Sequence, residues 1–194
     1  MRITKKELQE MEARDRRVAA IHEYGHAIVF MSYGMQGSVS IWRNDTSDPL
    51  EEKLWSGQAR YERFLSSPSL TRQISIAGFL AERIADEGTP KDFSAEELCF
   101  ELGFSLDDSY DELGDWSYSD WRGAQGWEAS DVAEVLDIFQ RHWKALENGV
   151  ESLVREAEED GECAHHTFTE WNVCTREIGL NGQTAKAASG SRRR

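Results

Sequence analysis

Two histidines, His22 and His26, enclose Glu23, Tyr24 and Gly25 within an apolar run that extends from Arg17 to Phe30. On a helix, positions i and i+4 share one face, so both imidazoles of this HExxH pattern point the same way, at a separation one zinc ion can span. Glu23 follows the first histidine. There it could take a proton from a zinc-bound water, whose pKa the metal lowers to about 7. Residues of these types at this spacing predict zinc-dependent peptide-bond hydrolysis, with His22 and His26 as metal ligands and Glu23 as the catalytic base. Val18, Ile21, Ala27, Ile28, Val29 and Met31 make the helix apolar on nearly all sides, so it should be buried, and a buried glutamate needs a partner or a task.

Two histidines leave a catalytic zinc one protein ligand short. Three sources compete. Glu82, with Asp86, forms an ExxxD pattern on a later helix; Asp131 opens the helix that follows an acidic stretch; His142 and the pair His165 and His166 are further donors with no spacing argument behind them.

The elements that must position these groups can be read from capping and periodicity. Thr4 to Glu7 forms a capping box that opens a charged helix running toward the histidines, its dense charges read as a solvated face. Beyond Gly34 and Gly37, the alternation in Ser38 to Trp42 predicts a short strand, and Trp55 to Tyr61 a partner strand. Val39, Ser40, Ile41 and Trp42 are the candidate substrate-binding residues, holding an extended peptide by edge pairing. Ser69 to Ala85 is a second core helix, with Gly78 marking close packing. Residues 88–127 shift to acids and scattered aromatics, with a capping box at Ser94 to Glu97 that starts a short helix to about Leu102, and then a long loop or excursion over Asp107 to Asp120. Helical periodicity returns from Ser130 to Trp143, with further short helices at Gly149 to Ala157 and Thr169 to Ile178. The expected fold class is mainly α, a helical zincin-like metallopeptidase domain with a small β-hairpin beside the HExxH helix. Residues 1–178 form one domain, with 88–127 as an acidic insertion or lid, and 179–194 are a disordered tail.

Composition narrows the partners. The 194 residues hold 22 Lys and Arg against 36 Asp and Glu, a formal net charge of −14 that argues against nucleic acid or an anionic membrane. Three cysteines without CxxC spacing fit a reducing compartment. With no signal-peptide pattern and no uninterrupted apolar span, a cytoplasmic protein is expected.

Taken together, these segments resemble a family. Arg17 to Val29 looks like the active-site helix of the FtsH-type ATP-dependent zinc metallopeptidases, which carry HEAGH where this chain has HEYGH. Ser38 to Arg43 is similar to their following strand, Ala77 to Ile84 to their Gly-x-x-Ala-Glu-Glu helix, and Ala129 to Val132 to their Ser-Asn-Asp-Leu segment. The correspondence runs in the same order from about residue 15 to 178. It implies a peptidase domain with Zn2+ as cofactor and Asp131 as third ligand, leaving Glu82 to helix packing or to support of a ligand. It also implies peptides or unfolded chains as substrates, and assembly as a homo-oligomer. Two departures stand out: no GxxxxGK[ST] phosphate loop and no membrane helix occur, so the unfolding motor is missing. That absence, with the acidic insertion, frames the alternative of a peptidase-derived, non-catalytic binding or regulatory protein with a structural zinc site.

Overall fold

The computed structural model describes residues 3–46, 52–62, 67–106 and 116–168. Helix α1 (Lys5–Ser32) begins where the sequence predicts, with Thr4 and Glu7 closing a reciprocal capping box. Its two halves differ. The N-terminal half is charged and largely exposed, whereas from Ala20 to Met31 every residue but His22 is buried. The charges of the first half are not merely solvated. Glu12 pairs with Arg43 at 2.9 Å, Asp15 accepts the Leu54 amide at 2.9 Å, and Arg16 pairs with Glu158 at 2.6 Å while covering the Trp55 ring.

Strands β1 (Gly37–Arg43) and β2 (Trp55–Tyr61) form the expected antiparallel hairpin. Helix α2 (Pro68–Glu87) follows, capped by the Ser67 side chain and with proline in its first turn. Next come α3 (Ala95–Leu106), α4 (Tyr118–Ala124), α5 (Ala129–Asp160) and β3 (Cys163–Phe168). The described chain is therefore mostly helical, with one three-stranded antiparallel sheet in the order β2-β1-β3. None of its helices is long and apolar enough to cross a membrane.

Three expectations change. Gly149 does not separate two helices, because α5 runs unbroken through it; the Tyr24 ring of α1 lies where a Cβ on residue 149 would stand, so this glycine is a close-packing point. The helix ends instead at Gly161, whose φ of 83° is the left-handed conformation open to glycine. The hairpin is extended by a third strand, β3, which carries His165 and His166. The long excursion is in part ordered helix, α4, whereas the short helix expected from Ser94 is present as α3. The helix expected over 169–178 and the tail over 179–194 lie outside the described residues.

One contiguous core joins these elements. Ile28, Phe30 and Ala27 of α1, Val39 and Ile41 of β1, Ile76, Leu80 and Ile84 of α2, Leu98 and Leu102 of α3, and Val135, Phe139 and Leu153 of α5 are all buried within it. The Cα of Gly25 on α1 sits against α2, since a Cβ there would lie 2.7 Å from both the Ala77 carbonyl and the Ala81 Cβ. Close contact between α1 and α2 brings the face that carries both histidines onto α2.

Candidate metal centre

His22 and His26 project from one face of α1, as the i, i+4 spacing requires, with their rings edge-to-face and their centroids 4.7 Å apart. Each ring is fixed through Nδ1. Glu82 of α2 takes that of His22 at 2.5 Å, and the Ile74 carbonyl takes that of His26 at 2.6 Å. A carbonyl can only accept, so His26 carries a proton on Nδ1, and Nε2 is the ring atom that could ligate a metal. This is the outer support that metal-ligating histidines ordinarily have.

Both Nε2 atoms face a third group. Asp120 of α4 places Oδ2 3.5 Å from Nε2 of His22 and 3.6 Å from Nε2 of His26. Zinc–ligand bonds of about 2.0–2.2 Å in tetrahedral geometry require donor–donor separations of about 3.3–3.6 Å, so the spacing fits a shared ion. Among the described residues, His22, His26 and Asp120 are the His, Cys, Asp and Glu side chains that cluster tightly enough to hold a metal. Gly78 keeps the space open: a Cβ at that position would lie 2.6 Å from Nε2 of His22 and 2.7 Å from Nε2 of His26. The donor set, its fixed tautomer and the glycine cradle all fit zinc.

The electrostatics agree. Burial would lower the His22 pKa, but Asp120 and Glu82 outweigh it and raise it to about 10. Burial likewise pushes Asp120 upward, yet His26, His22 and Ser117 hold its carboxyl far below the usual range. Such a group of imidazoles and a carboxylate could hold a cation. Glu23, facing β2, has its pKa raised by burial, against the opposing pull of His26 and His22.

Asp131 is not brought to the histidines. It is wholly buried at the first turn of α5, where it accepts from Ser69, from Arg72 at 2.6 Å and from the Glu128 amide at 3.0 Å. Burial raises its pKa, but these donors prevail and lower it. Its lone pairs are spent on tying α5 to α2, and the aspartate that joins His22 and His26 is Asp120. Glu82 supports a ligand from behind. Of the remaining donors, His166 bonds Tyr24 and Glu156, His165 bonds Ser40, and His142 is partly buried on α5.

The substrate-binding expectation for Val39 to Trp42 also requires correction. β1 is the central strand, paired with β2 on one side and β3 on the other, so it has no free edge to offer. Val39 and Ile41 are buried and Ser40 is bonded to His165, while Trp42 is 40 % exposed. Among the described residues both outer strands, β2 and β3, have an unpaired edge, and β2 is the one that lies against Glu23. Backbone bonds from Asn44 to Leu54 and from Glu62 to Gln36 continue the ladder at both ends. Antiparallel pairing alternates, so Ser56, Gln58 and Arg60 bond to β1, and Trp55, Gly57, Ala59 and Tyr61 turn their amides and carbonyls outward.

Asp120 is not among the ligands expected from the sequence, and its local signal marks a helix start, not a ligand. Ser117 caps α4 by accepting the Asp120 amide at 3.1 Å, a Ser-x-x-Asp pattern inside the stretch read as an excursion. Two Ser-Asp pairs, Ser119-Asp120 and Ser130-Asp131, occupy similar first-turn positions, and only the tertiary fold separates their roles. Neither the protein-family models nor the curated proteins gave a match to this chain. The functional reading therefore rests on the site.

Proposed function

We propose that this chain is a zinc-dependent endopeptidase acting on peptides or unfolded segments, with a helical zincin-like fold. One observation carries the reading: the HExxH histidines share with Asp120 a space kept open by Gly78, and each has its Nδ1 anchored from behind. The resemblance of α1 and α2 to FtsH-type peptidases supports the same conclusion, with Asp120 in place of Asp131 as ligand.

His22, His26 and Asp120 would hold the ion, leaving one coordination position for solvent or substrate. Bound there, zinc would supply a Lewis acid and a water of lowered pKa. Glu23 is buried beside the two histidines, one residue along α1, where a carboxylate can accept a proton from the attacking water and return it to the leaving amine. The outward amides and carbonyls of Gly57 and Ala59 would align an extended peptide antiparallel or parallel to β2, by main-chain pairing that is tolerant of side chains.

The test is Glu23→Gln, assayed on a fluorogenic unstructured peptide. The variant should keep about one zinc per chain and lose about a hundredfold or more in rate. Equal cleavage by parent and variant would remove Glu23 from the mechanism.

A further inference from the structure

The free edge of β2 and the base of the reaction meet at one residue. A Cβ built on Gly57 would fall inside van der Waals contact of Glu23 Cγ and 2.9 Å from its Oε1. Glu23 is buried on a rigid helix whose neighbours on every side are core residues, so its side chain has little room to yield. Gly57 has a negative φ, so the requirement for glycine is one of space, not of backbone conformation.

We propose that Gly57 is a positioning residue for Glu23: its bare Cα lets the unpaired edge of β2 lie on the carboxylate, so the strand that pairs with an extended peptide also fixes the base beneath the bond to be cut. The inference rests on the peptidase reading and deepens it. Any larger residue at 57 would move the carboxylate off the edge or lift the strand away from α1. Displacements of about 1 Å at such a site cost about a hundredfold in rate.

The experiment compares the parent, Gly57→Ala, Glu23→Ala and the double variant. It measures zinc content, kcat and KM on an extended fluorogenic peptide, and the visible spectrum of the cobalt-substituted proteins. Gly57→Ala should keep about one metal per chain, lose about a hundredfold in kcat with KM changed little, and shift the cobalt bands. Glu23→Ala removes the Cγ that the added Cβ would meet, so in that background Gly57→Ala should leave metal content and cobalt bands unmoved. A Gly57→Ala kcat equal to the parent's, or the same shift of the cobalt bands in both backgrounds, would overturn the proposal. If Gly57→Ala does not fold, the double variant must fold and bind metal; its failure would mean that the Cβ disturbs the strand and not Glu23. A parent that binds zinc but cleaves nothing would refute the peptidase reading alone. In that case the cobalt bands decide, and bands unmoved by Gly57→Ala would overturn the positioning role.

Discussion

His22 shows most directly how the site stores its affinity for a cation. Two carboxylates address one ring, Glu82 at Nδ1 and Asp120 at Nε2, and together they raise its pKa to about 10 from an ordinary 6.5. A raised pKa contributes stability that is complete below the unfolded value of about 6.5 and is lost as pH rises through about 10. The metal-free protein should therefore lose thermal stability between pH 7 and 10, and Glu82→Gln should flatten that slope; a flat profile in the parent would contradict the arrangement. At pH 7, zinc must displace the His22 proton. Calorimetry in buffers of different ionisation enthalpy should show about one proton released per zinc, and none would mean that the ion binds elsewhere. Gly78→Ala tests the same space sterically. The added methyl would crowd both Nε2 atoms, so zinc should be lost while circular dichroism stays helical.

Among the elements, α1 and α2 were readable from sequence and α4 was not. Capping boxes at Thr4 and Ser94 and the apolar spacing from Ser69 are local signals, and the helices appear where they place them, α2 beginning one residue earlier at Pro68. The identity of the third acid is not local. Asp120 and Asp131 both follow serine in a first turn, and what distinguishes them is that Arg72 and Ser69 of α2 reach Asp131 whereas Asp120 overhangs the two histidines. The position of β1 in the sheet depended likewise on β3, whose pairing partner is more than a hundred residues away in the chain. Gly149 looked like a break because glycine is a poor helix former, but α5 tolerates it where Tyr24 needs the space. Asp131 belongs to this scale: its removal should harm folding, not metal binding. Asp131→Asn should cost about 2 kcal/mol in denaturant unfolding, through weakened bonds to Arg72 and Ser69, and an unchanged midpoint would deny it the clamp role.

For the whole molecule, the site is an intersection. On the proposed reading, α1 would supply two ligands and the base, α2 the cradle and the Glu82 support, α4 the third acid, and β2 an outer edge. None of these elements holds more than part of the chemistry, so the account stands on their being packed together around one ion. Zinc content of chelator-free protein, by plasma mass spectrometry on the parent, His22→Ala, Asp120→Ala and Asp131→Ala, tests that directly. The geometry predicts about one zinc in the parent and in folded Asp131→Ala, and little in His22→Ala and Asp120→Ala. Zinc retained by Asp120→Ala and lost from Asp131→Ala would contradict the account, and a parent that binds none even when zinc is supplied would end it.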